Sequence, residues 1–122
     1  MSRTPTPATK AMGASAHALS RVTREAVAVL GQRIRIGRLE RKLSVQALAE
    51  RIGISRDMMR RIEAGDPRCA IGAVFEAAAV VGVSLLAEDR TALAALRAQQ
   101  ADKLRLLPKR VRAPRREPRD DF

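Results

Sequence analysis

Aromatic residues are almost absent from this chain, which has no Trp, no Tyr and only Phe75 and Phe122. Hydrophobic residues nonetheless make up 46% of it, so any core is aliphatic. Alanine, leucine, valine and isoleucine at that density point to packed helices. The lone Cys69 excludes an internal disulfide and a cysteine-based metal cluster, and the lone His17 leaves no zinc-ligand spacing, so a reduced cytoplasmic protein without a metal is expected. No apolar run approaches the roughly 18 residues that a membrane span needs, and the N-terminus has no charged-then-apolar leader pattern. There is also no set of nucleophile, base and orienting group and no glycine-rich phosphate loop. The chain therefore reads as a binding protein with no cofactor, not as an enzyme.

What the chain has in excess is positive charge. Its 24 Lys and Arg residues outnumber 13 Asp and Glu, a formal net charge of +11 over 122 residues. Such a balance implies a polyanionic partner. Arginine is much commoner than lysine, and its planar fork suits phosphate and guanine edges, although a GC-rich genome gives the same bias.

The length allows one compact domain with tails, within the usual roughly 50 to 250 residues per domain. Residues 1–20, a mixture of Ser, Thr, Pro, Ala and Gly, read as a flexible arm. Residues 21–88 read as the folded domain, 89–107 as an amphipathic helix, and 108–122, rich in Pro and Arg with an acidic end, as a disordered tail. Within the domain, Thr23 is expected to cap a first helix from Arg24 to about Lys42, with Val27, Leu30, Ile34 and Gly37 on one face. A second helix from Val45 to Gly53 carries Leu48, Ala49 and Ile52. A fourth, from Ile71 to Val81, draws its apolar face from Val74, Phe75, Ala78 and Val81. Val83 to Leu86 reads either as a brief strand or as the lead into a fifth helix of about Ala92 to Leu106, whose stripe is Leu93, Leu96, Leu104 and Leu107.

The informative stretch is Ser44 to Gly65, SVQALAERIGISRDMMRRIEAG. Ser44 can cap the second helix and Ser55 a third, Arg56 to Ala64, with Gly53-Ile54-Ser55 as the three-residue turn between them. Two helices joined in this way cross steeply, so that one can brace on a DNA backbone while the other enters the major groove. Leu48, Ala49, Gly53, Ile54, Met59 and Ile62 are the expected inward positions. Arg56, Asp57, Arg60 and Arg61 face outward, where arginine can donate twice to guanine and aspartate can accept from cytosine. A charge run of this kind is ordinarily a solvated helix face; its place directly after the Gly-Ile-Ser turn favours base reading.

Leu48-Ala49, Gly53-Ile54-Ser55, Ile62-Glu63 and Gly82-Val83-Ser84 resemble the phage repressor/Cro or Xre family of helix-turn-helix regulators over about Leu30 to Leu85. The resemblance implies an all-α, five-helix repressor/Cro-like domain with disordered tails, to which Val83 to Leu86 could add a short dimer-forming strand of the kind found in the family's HipB-type branch. It implies that Arg38 pairs with Glu63, bracing the first helix to the third and leaving an arginine edge near the phosphates. The family's glutamine after Ser44, a phosphate contact, is replaced here by Val45, so Gln46 and the helix amides would have to serve. Gly65-Asp66-Pro67, Ala70-Ile71-Gly72, Val80 to Val83 and Leu107-Pro108-Lys109 look like the HipB-type branch, antitoxins that repress their own operon and bind a HipA-like kinase toxin.

The resulting expectation is a homodimeric repressor on a palindromic double-stranded operator, cytoplasmic and on the bacterial nucleoid. Ser44, Gln46, Ser55, Arg56, Asp57, Arg60 and Arg61 are its candidate DNA contacts, and Arg38 and Glu63 its brace. A stand-alone Xre-type regulator without a toxin partner is the alternative.

Overall fold

The computed structural model describes residues 18–86 and 89–111, which fall into two units divided between Leu85 and Leu86. The first unit holds α1 (Arg21–Glu40), α2 (Val45–Ile52), α3 (Arg56–Glu63) and α4 (Ile71–Val80), and the second holds α5 (Arg90–Leu106). All regular structure among the described residues is helical. The arm expected over 1–20 and the tail over 108–122 lie for the most part outside the described residues.

α1 begins a turn earlier than the sequence suggests. Ser20, not Thr23, is extended at the N-cap, and its hydroxyl accepts from the Thr23 amide at 3.1 Å. Both residues have the right chemistry; three more residues accept helical backbone angles, and the cap moves with them. α2, α3 and α5 start in the same way, with Ser44, Ser55 and Asp89 accepting from the amides of Ala47, Met58 and Ala92. The ends of α1 to α4 are equally uniform. The amides of Leu43, Ile54, Asp66 and Val83 each reach back five residues, to the carbonyls of Arg38, Ala49, Arg61 and Ala78. This closure needs a left-handed residue just before the donor. Gly53, Gly65 and Gly82 supply it, each at φ +79°, and after α1 it is Lys42 at φ +57°.

Ile34, Leu48, Ala49, Met59, Ile62, Ala77, Ala78 and Val81 form the core of the first unit. Burying each large aliphatic side chain contributes about 1.5–3 kcal/mol. α3 packs against both α1 and α2, and α4 against α2. Two expected core positions lie elsewhere. Phe75 is 40% exposed, because α4 turns its small residues Ala77 and Ala78 inward and leaves the ring at the rim. Gly53 is also exposed, and a Cβ there would touch nothing within 4 Å, so its role is the backbone angle and not packing.

Val83 to Leu86 forms neither helix nor strand. Val83 and Leu85 pack against the core while Ser84 and Leu86 are exposed, so the segment alternates like a strand as it seals the unit. In the second unit α5 runs from Arg90, two residues ahead of the expected Ala92, with Asp89 as its N-cap. Of its leucine stripe only Leu96 is half-buried; Leu93, Leu104 and Leu107 are exposed.

Candidate nucleic-acid interface

The exposed face of α3 is positioned from beneath. Met59 and Ile62 are buried, one turn apart, and fix which side of the helix looks inward. At the base of the helix the Glu63 carboxylate is clamped by Arg38 of α1, with Nε donating to Oε2 at 2.6 Å and Nη2 to Oε1 at 2.9 Å. Arg38 Nη1 donates to the Leu43 carbonyl at 2.8 Å, tying the same guanidinium to the loop that leads into α2. The two side chains are only 8% and 7% exposed. Donating to the Glu63 carboxylate holds Arg38 above the ordinary arginine range, against burial that lowers it, so the guanidinium is charged at any pH the fold tolerates. Each nitrogen of Arg38 makes one of these bonds and the side chain is covered, so the guanidinium is held as a clamp and presents little edge to solvent.

The clamp has a partner that residue spacing does not reveal. Gly31 of α1 lies against the end of α3, and a Cβ on it would come within 2.7 Å of the Ile62 carbonyl oxygen and 2.8 Å of that of Glu63. The only available signal was the presence of glycine inside a helix, which costs about 0.5–1 kcal/mol relative to alanine and so calls for a reason. Here the reason is backbone approach.

Among the expected contact residues, Arg56, Asp57, Arg60 and Arg61 all lie on the exposed part of α3. They are not equivalent. Arg61 is bonded to Asp57 one turn earlier, at 3.0 Å through Nη2 and 3.2 Å through Nε. Arg56 and Arg60, also one turn apart, have no ion pair or side-chain hydrogen bond among the described residues. The hydroxyls of Ser44 and Ser55 are engaged as helix caps, and Gln46 donates to Glu50 at 2.8 Å. Val45 packs against the core, so no polar group stands at the position after Ser44. Met58 is likewise half-buried against the core, not turned to solvent.

In the loop after α3, Asp66 accepts from the Arg68 amide at 2.9 Å and from its guanidinium at 3.0 Å, and these bonds hold its carboxyl below the usual aspartate range. Burial pushes the neighbouring Cys69 thiol up, away from the thiolate that redox chemistry requires. No group of metal-ligating side chains occurs among the described residues, and none of their helices is long and apolar enough to cross a membrane.

Residues 29–93 match the family model of a helix-turn-helix domain, and the Gly-Ile-Ser turn that joins α2 to the serine-capped α3 lies within them. That match covers more than half of the chain. The chain belongs to the helix-turn-helix domain family. No curated protein and no solved structure matches it. The helix-turn-helix is DNA-binding, with α2 and α3 as its two helices and α1 as the support to which Arg38 and Gly31 fasten the second of them.

Proposed function

We propose that the protein is a sequence-specific transcriptional repressor in which α3 lies in the major groove and Arg56 and Arg60 read base edges. The observation that carries this reading is the division of α3 into a locked base and a free face. Met59, Ile62 and the Arg38–Glu63 pair fix the helix, while Arg56 and Arg60 project from it without partners among the described residues. An unpaired guanidinium gives up no protein bond when it donates to guanine, and each such bidentate contact is worth roughly 1–3 kcal/mol of discrimination. Asp57 and Arg61, bound to each other, flank the readers, and the first-turn amides of α2 and α3 with Ser44, Gln46 and Ser55 meet the backbone phosphates. Two copies on a palindromic operator would place their third helices about 34–36 Å apart or at multiples of that, and repression would follow from covering a promoter.

The test is a footprint on the DNA upstream of the gene followed by gel-shift titrations. Arg56→Ala and Arg60→Ala should each relax preference at one base pair of the half-site while the protein stays folded. Full affinity and specificity in both variants would show that α3 does not read DNA through these residues.

Within this reading the protein is a HipB-type antitoxin that represses its own operon. Support for that narrower role comes from the motifs Gly65-Asp66-Pro67 and Leu107-Pro108-Lys109. Co-purification with a kinase-like product of an adjacent gene tests it, and without such a partner the protein is a stand-alone regulator.

A further inference from the structure

The face of α1 turned away from α3 carries an exposed apolar stripe. Gly31, Ile34 and Arg38 are buried on one side, whereas Val22, Val29 and Ile36 are 77%, 43% and 53% exposed. These three residues are seven apart, and a straight helix drifts only about 20° per heptad, so they form one stripe along the whole of α1. At its C-terminal end the stripe opens into a groove of about 410 Å³ that Ile36 shares with Gly37, Val81 and Val83, rimmed by Arg33 and Glu40.

We infer that this stripe and groove form a two-fold interface with a second copy of the chain, α1 packing antiparallel on α1. The charges beside the stripe select both occupant and direction. Glu25 and Arg33 sit one turn to either side of Val29; both are exposed, and neither has an ion pair among the described residues. A two-fold that sets Val29 against Val29 brings Glu25 level with Arg33 of the second copy, twice over. It also sets Val22 at the groove beside Ile36. A parallel arrangement would instead bring Glu25 level with Glu25 and Arg33 with Arg33, a repulsion at both places. The mixed charge of this face also sets it apart from the arginines of α3, which suit a polyanion. It suits a surface complementary to itself, the condition for a closed dimer.

This deepens the two-fold part of the repressor reading and rests on that reading only in supposing two copies. It is therefore tested without DNA, by sedimentation of the full chain over a concentration series. The wild type should dimerise reversibly. Val29→Glu, which would place a carboxylate in the seam, should weaken the dimer at least about tenfold with unchanged helical circular dichroism. Glu25→Arg and Arg33→Glu should each weaken it, and the double variant should recover it. A wild type that stays monomeric, a Val29→Glu dimer as tight as the wild type's, or a charge-swapped double variant weaker than both single ones would each overturn the proposal. Binding of Val29→Glu to a single half-site should match the wild type's, so a failed interface and a failed reading helix give different results.

Discussion

Helix α3 carries a carboxylate near each end, Asp57 in its first turn and Glu63 in its last, and each is bonded to an arginine, yet the two pairs have little else in common. Glu63 and Arg38 are over nine-tenths covered, come from elements 25 residues apart, and meet through two hydrogen bonds with a third to a carbonyl. Asp57 and Arg61 are neighbours on one helix, with the carboxylate side chain 79% exposed and the guanidinium 48%. A buried pair has no water to replace a lost partner, whereas an exposed one trades its partner for water at almost no loss. The buried pair thus holds α3 in place, and the exposed one is free to rearrange.

The largest effect should come from breaking the buried pair on one side only. Glu63→Ala leaves Arg38 charged, covered and bonded to the Leu43 carbonyl alone. A loss of about 3–5 kcal/mol in urea unfolding is expected. Replacing both partners with apolar residues, Arg38→Met with Glu63→Leu, should restore most of that stability. A loss from Glu63→Ala no greater than that of an exposed pair would remove the contrast between the two ends of α3.

The next effect sharpens the comparison by acting on backbone approach, without touching charge. Gly31→Ala drives a methyl group toward the carbonyls of Ile62 and Glu63, which cannot swing aside as a side chain could. Destabilisation of about 1–3 kcal/mol is expected. Gly72→Ala in α4 is the control, because a Cβ there meets nothing within 4 Å. It should add about 0.5–1 kcal/mol by removing glycine from a helix. Thermal melts of the two variants should shift in opposite directions.

Much of this architecture can be read from the residues themselves, and the exceptions have physical causes. The all-helical fold, the turn at Gly53-Ile54-Ser55 and the inward side of Met59 and Ile62 follow from 3.6-residue spacing, hydroxyl caps and glycine stops, all of which act within a few residues of chain. The start of α1 does not, because Ser20 and Thr23 can each cap a helix and the apolar spacing that begins at Val27 does not say which of them does. Phe75 at the rim and Gly31 at a helix contact depend on how closely helices approach, which periodicity does not encode. Lys42 takes the left-handed position that three glycines hold elsewhere, and nothing in its residue type announces it. At the candidate interface the exposure of Arg56, Asp57, Arg60 and Arg61 was legible, but the bond that separates Arg61 from Arg56 and Arg60 was not.

The smallest effect on stability, and the most telling for function, belongs to the exposed pair. Asp57→Ala removes an interaction worth about 0.3–0.5 kcal/mol, and the unfolding midpoint should barely move. DNA binding should change more. With Asp57 gone, a negative charge is lost from the face proposed to meet DNA, and the Arg61 guanidinium is released. Each added phosphate contact steepens the dependence of log affinity on log salt by about 0.9. Asp57→Ala should therefore bind unrelated DNA more tightly at low salt, with a slope steeper by about one, and discriminate its operator less well. Asp57 then acts as a restraint on indiscriminate binding. An unchanged salt slope would mean that Arg61 stays clear of the phosphates even when free, leaving Arg56 and Arg60 as the only arginines of α3 that meet DNA.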